Sequence, residues 1–145
     1  MMISTKGKYA LQTLLDLAQQ EKNNCEVGAC GDYISLKVIA ERQDISMKYL
    51  EAIVAILNKG GLLKSTRGKD GGYRLARPAS EITVAEVMAL TEGSLAPVSC
   101  LDTCREGQCA HADACLTQPM WQKLDSIIDA YLSGITIADI LCGRV

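Results

Sequence analysis

Four cysteines, Cys100, Cys104, Cys109 and Cys115, crowd into the stretch CLDTCREGQCAHADAC. No apolar residue recurs there with a helical or strand period, so the stretch reads as a loop. Thiolates are soft ligands, and soft sulfur selects zinc, copper(I) or an iron–sulfur cluster. Structural zinc usually takes a close Cys-x-x-Cys pair, and this loop has none. Eight residues separate Cys100 from Cys109, four separate Cys104 from Cys109, and five separate Cys109 from Cys115. These gaps suit a larger object, a cluster, with zinc as the open alternative. Nucleophilic catalysis finds no footing: His111 is the only histidine, and no glycine-rich phosphate motif occurs. The chain is expected not to be an enzyme and to take no small-molecule substrate.

The compartment follows from the same residues. The opening MMISTKGKYAL lacks the apolar core of a signal peptide, and no apolar run is long enough to cross a bilayer. A cytoplasmic protein with no membrane contact is expected. Seven cysteines in a reducing compartment argue for metal or redox chemistry rather than disulfides. Cys25 and Cys30 lie in a stretch of loop composition, Glu21 to Asp32, and read as two solvent-side thiols. Cys142 reads as a packed or inert thiol.

The elements around the loop must position it. Tyr9 to Gln20 has a wide apolar helical face. Ile34 to Arg42 and Ser46 to about Lys59 read as two short helices joined tightly at Gln43–Asp44–Ile45. Ser46 has N-cap chemistry, and Gly60–Gly61 ends the second helix. This is helix-turn-helix spacing, which places Ser46, Met47, Lys48, Tyr49, Glu51 and Ala52 toward a major groove. Two short strands follow, Leu62 to Arg67 and Tyr73 to Arg77, around a turn whose Asp70–Gly71 step predicts positive φ. From Lys59 to Arg77 stand Lys59, Lys64, Arg67, Lys69, Arg74 and Arg77 against one acid, Asp70. Such a wing can lie on phosphates or enter a minor groove. We therefore read Ser46, Lys48, Tyr49, Glu51, Lys64, Arg67, Lys69 and Tyr73 as the DNA-facing set.

Charge supports that reading. Residues 1–80 carry 12 Lys+Arg against 8 Asp+Glu, and residues 81–145 carry 3 against 9. A basic front half suits an anionic partner. Thr83 and Glu86 have capping-box spacing and open a helix through Leu90. Pro119 suits the first turn of a further helix. Along it Trp121, Leu124, Ile127, Ile128, Tyr131 and Leu132 recur at spacings of three and four. A twin helix would cover that stripe, with Trp121, Leu124, Ile128 and Tyr131 as the dimerisation residues. Ser133–Gly134 stops this helix, and Thr136 with Asp139 can cap a last short turn.

The fold class is thus mainly α with a small β-hairpin wing. A winged helix-turn-helix DNA-binding domain spans residues 1–93. A cysteine-rich cluster-binding loop spans 94–118, and a dimerisation helix with a C-terminal turn spans 119–145. The rival is a metal-free or zinc-stabilised winged-helix interaction protein.

Several segments resemble one family. ISTKGKYALQTLLDLA, ISMKYLEAIVAILNKGGLLKSTRGKDGGYRLARP, ITVAEV and CLTQPMWQKLD are similar to the Rrf-two family of bacterial regulators, across almost the whole chain. RGKDGGY and the CLTxxxW step are the most specific parts. The resemblance implies a homodimeric winged-helix repressor or activator of an operator in double-stranded DNA. It also implies an iron–sulfur cluster, 2Fe–2S first and 4Fe–4S as the alternative, sensing iron or cluster supply or redox and nitric oxide stress. Some family members are instead controlled by a protein partner. Cys109 and Cys115 match the second and third ligands, and the first is Cys100 with Cys104 as alternate. Gln118 stands where some relatives place a histidine ligand, and Lys8 where others place a partner-subunit aspartate. Cys104 or His111 could complete the set. The resemblance also puts Lys48, Tyr49, Glu51 and Arg67 on DNA.

Overall fold

The computed structural model describes residues 3–26, 31–102, 109 and 111–145, the side chains at 25 and 26 excepted. α1 (Thr5–Glu26) runs past both expected ends. Ser4 starts it, its Oγ accepting from Gly7 N at 3.3 Å. At the far end Gln19 donates to Asn23 at 3.1 Å, an i,i+4 pair that supports the helix through a stretch read as loop. Cys25 thus lies on helical backbone. Cys30 falls outside the described residues. Ala10, Thr13, Leu14, Leu17 and Ala18 are the buried face.

α2 (Leu36–Gln43) is capped by Ser35, whose Oγ accepts from Val38 N at 3.4 Å. It ends at Asp44, which takes a left-handed φ of 51°. Ile34, expected inside this helix, instead pairs with the hairpin. Ile34 N donates to Tyr73 O at 2.9 Å, and Tyr73 N donates to Ile34 O at 2.8 Å. α3 (Met47–Lys59) begins as expected, with Ser46 Oγ accepting from Tyr49 N at 3.3 Å. Leu50, Ile53, Val54 and Leu57 are buried beneath it.

β1 (Leu63–Thr66) and β2 (Gly72–Leu75) form an antiparallel hairpin in register Leu63 to Leu75 and Thr66 to Gly72. Leu63 and Leu75 face the core. The turn closes by Gly71 N donating to Gly68 O at 3.1 Å. Positive φ falls on Gly68, at 114°, rather than on the Asp70–Gly71 step. A Cβ at Gly72 would clash with the Ile34 backbone carbonyl, so the chain at Ile34 can come this close only beside glycine.

α4 (Val84–Glu92) opens on Thr83, whose Oγ1 accepts from Glu86 N at 3.2 Å. The second half of the expected capping box is absent, because the Glu86 carboxylate accepts from Arg77 at 2.5 Å. α5 (Gln118–Ser133) carries Pro119 in its first turn, and α6 (Ile137–Leu141) has a complete capping box between Thr136 and Asp139. The tail then returns to the body. Val84 N donates to Ile135 O and Ile137 N to Ile82 O, both at 2.9 Å. Ile137 is fully buried. Burial of such a side chain contributes about 1.5–3 kcal/mol, so the far end of α5 is firmly tied to the winged-helix core. No described helix is long and apolar enough to cross a membrane.

Candidate DNA interface, cysteine loop and exposed helix face

The helix-turn-helix and the hairpin present one polar surface. Ser46 capping α3, Lys48 and Glu51 on it, and Lys64, Arg67 and Lys69 on the hairpin are exposed. No carboxylate among the described residues pairs with Lys48, Lys64, Arg67 or Lys69. Their charge is therefore available to an external anion. Two other basic residues of the same stretch are engaged by the protein itself. Arg77 is held by Glu86, and Arg74 donates to Gly31 O at 3.0 Å while lying 4.9 Å from the Tyr33 ring centre. These two brace the base of the wing. Tyr73 is half-buried, its backbone bridged to Ile34 and its ring packed on the core. Tyr49 is also half-buried, with the Tyr9 ring against it at 5.9 Å and 80°. Nothing in the sequence pattern pointed to Tyr9, because the two rings come from different helices.

The cysteines sit where α4 is joined to α5. Cys100 is exposed on a short 3-10 turn, Ser99–Leu101. Cys109 and Cys115 are half-buried, and Cys115 directly follows a second 3-10 turn, Ala112–Ala114. Cys104 lies outside the described residues. The Cys115 thiol is held below the usual thiol range, first by its bond with the Thr117 hydroxyl at 3.3 Å and then by the Thr117 and Gln118 backbone. The entry to the loop is anchored too. Glu92, the last residue of α4, accepts from Ser4 Oγ at 2.6 Å and from Ser4 N at 3.2 Å. A Cβ at Gly7 would meet Glu92 Oε1, so the start of α1 lies tight against the end of α4.

α5 divides its apolar residues between two faces. Ile128 and Leu132 line a cleft against Ala85 and Ala89 of α4. Met120, Leu124, Ile127 and Tyr131 are left 54, 38, 53 and 57% exposed, and no residue of α5 is fully buried. Leu124 and Tyr131, read as dimerisation residues, stand on this open face. Ile128 is turned to α4, and Trp121 is half-buried. Met120 and Ile127 complete the open face, as their spacing along the helix could have indicated. Cys142, read as packed or inert, is exposed.

A helix-turn-helix followed by a hairpin whose cations are unpaired among the described residues is the architecture of winged-helix transcription regulators. Residues 3–143 match the family model Rrf2, described as an iron-dependent transcriptional regulator. The chain belongs to the Rrf2 family. It is 36% identical to IscR, an HTH-type transcriptional regulator of Escherichia coli, over 97% of this chain and 80% of that one. The solved structure of IscR from T. potens matches with a TM-score of 0.72 at 34% identity, covering 100% of this chain and 89% of that chain. CymR, the global cysteine regulator of B. subtilis, matches with a TM-score of 0.75 at 30% identity, covering 97% and 95%. The protein is a transcriptional regulator of this family, not an enzyme.

An iron group is thus the one to test against these residues. Among the described residues no three metal-binding side chains gather at one point. The donor chemistry suits iron and sulfide all the same: Cys100, Cys109 and Cys115 are free thiols, and Cys115 is biased toward its thiolate.

Proposed function

We propose that the protein is a cytoplasmic homodimeric repressor whose hold on operator DNA is set by an iron–sulfur cluster in the 100–115 loop. The observation that carries this reading is the position of the thiols. Cys100, Cys109 and Cys115 all fall within the connection between α4 and α5, with Cys115 close to the start of α5. Cys109 and Cys115 would hold the group, with Cys100 as the first thiolate and Cys104 as its alternate. A bound cluster would supply an iron centre sensitive to oxidants and to iron supply. Drawing these thiols together would set the path of α5 over α4. Because the far end of α5 is tied through Ile135 and Ile137, that path sets how two protomers are spaced. A ligand acts this way only if it favours one of two arrangements. On this reading residues 1–93 bind DNA, 94–118 sense and 119–133 pair the protomers, while 135–141 brace the core.

The open face of α5 supports the dimer. Its positions 120, 124, 127 and 131 keep the same spacing when read backwards. An antiparallel twin would therefore set Met120 against the partner's Tyr131 and Leu124 against the partner's Ile127, as a two-fold interface requires. Two protomers would present two α3 helices to half-sites about one helical turn apart, roughly 34 Å.

The test is one anaerobic preparation, assayed for iron, sulfide and visible absorption, then titrated with operator DNA with and without the cluster. Brown protein whose DNA affinity changes on cluster loss is expected. Colourless protein with unchanged affinity would reject the cluster. A second reading, which the family resemblance implies for some members, is control by a protein partner without a metal. It expects iron-free protein that binds DNA until a partner protein is added.

A further inference from the structure

Tyr49 stands on the first turn of α3, beside exposed Lys48 and Glu51. Among the described residues its hydroxyl has no hydrogen-bond partner, while its ring is packed against the core. One wall of that packing comes from outside the helix-turn-helix. The Tyr9 ring of α1 meets the Tyr49 ring edge-on, with centres 5.9 Å apart and planes at 80°. Edge-to-face geometry is the favoured arrangement of aromatic quadrupoles, so it fixes direction as well as distance. Lys8 lies 5.8 Å from the Tyr9 ring centre. The next turn toward the N-terminus is pinned by the Ser4–Glu92 bonds. The helix that carries Tyr9 is thus pinned to α4 at its start. Tyr9, itself packed on the core, in turn backs a side chain whose polar tip is unclaimed among the described residues.

We infer that Tyr9 is a specificity-determining positioning residue: its ring sets the direction in which Tyr49 presents its hydroxyl to DNA. The inference rests on the reading of α3 as the recognition helix. A side chain that reads base edges must be locked by packing behind it, or the energy of the contact is lost to rotamer freedom. Tyr49 has only its ring available for that lock, and Tyr9 is the aromatic partner holding it. Tyr9 therefore acts on sequence preference without touching DNA.

The test uses the full-length protein and the duplexes it retains from a random-sequence library. Affinity is then titrated on the consensus and on single-base variants. Tyr49→Phe removes only the hydroxyl and is expected to reduce discrimination at one base pair by roughly 5-fold to 100-fold. Tyr9→Phe keeps the ring and is expected to match the wild type. Tyr9→Leu loses the edge-on contact and is expected to relax discrimination at that same base pair by about 3-fold to 10-fold, with the salt dependence unchanged. The double variant Tyr9→Leu with Tyr49→Phe is expected to equal Tyr49→Phe alone, because the two act through one contact. Urea midpoints establish that each variant is folded. Equal weakening of all duplexes by Tyr9→Leu, or independent multiplication of the two penalties, overturns the inference. If Tyr49→Phe leaves discrimination intact, Tyr49 is not a reader and both ideas fall. If Tyr49→Phe acts and Tyr9→Leu does nothing, the inference alone fails.

Discussion

Ile127→Asp is expected to convert a dimer into a folded monomer. Full burial of a large apolar side chain contributes about 1.5–3 kcal/mol. Met120, Leu124, Ile127 and Tyr131 each keep about half their surface exposed in the protomer, so covering the rest contributes about 0.8–1.5 kcal/mol apiece. A two-fold interface counts each side chain twice, and the total comes to roughly 6–12 kcal/mol. Association itself costs about 4–15 kcal/mol, so the pairing has little surplus. Ile127→Asp removes two copies, roughly 2–3 kcal/mol, and drives two carboxylates into an apolar seam at further cost. At 1.4 kcal/mol per tenfold, the dimer constant should weaken by at least about a hundredfold. Sedimentation velocity at micromolar protein reads this directly. The urea midpoint should barely move, since Ile127 is half exposed in the protomer. Ile128→Asp should do the reverse and lower the urea midpoint, because Ile128 lines the cleft against α4. An intact dimer for Ile127→Asp would remove this face from the interface.

Lys69→Ala should reduce the slope of log affinity against log salt by about 0.9 while leaving sequence preference alone; an unchanged slope takes the wing tip off the phosphates. Cys109→Ser and Cys115→Ser should each abolish iron binding in anaerobic preparations, Cys100→Ser should strip it, and Cys104→Ser should leave a less stable cluster. Full iron content in Cys109→Ser or Cys115→Ser rejects the ligand set. In metal-free protein the Cys115 thiolate should form below the ordinary thiol range, so its alkylation rate should rise at lower pH than in Thr117→Ala. Equal midpoints would show that the Thr117 hydroxyl does not favour the thiolate. Asp139 is held below its ordinary value of 3.8, first by the Thr136 hydroxyl and backbone, then by Arg144. Its ionised form therefore stabilises the fold above about that pH and stops doing so as pH falls through the depressed value. The stability gap between wild type and Asp139→Asn should be widest near neutrality and close in acid, as chemical denaturation at several pH values will read.

Much of this protein is local, and local features are legible in sequence. Ser46 and Thr83 cap helices because a hydroxyl at that point accepts from the third residue onward, whatever else surrounds it. The buried faces of α1 and α3 follow from period alone. The hairpin and its cations follow from a turn between two short strands. Tertiary structure decided the rest, because it depends on residues far apart in the chain. Glu86 has capping-box spacing, yet Arg77 lies near enough to claim its carboxylate. Ile34 belongs by composition to α2, yet Tyr73 offers it a ladder partner and Gly72 leaves room. The six cations from Lys59 to Arg77 look alike in sequence, and only the fold sets Arg74 against Tyr33 and pairs Arg77 with Glu86. The stripe on α5 is a single stripe by period. It becomes two faces only when the fold turns Ile128 and Leu132 toward a cleft against α4 and leaves Met120, Leu124, Ile127 and Tyr131 open. The contact of Tyr9 with Tyr49 joins two helices forty residues apart, and no local pattern encodes it.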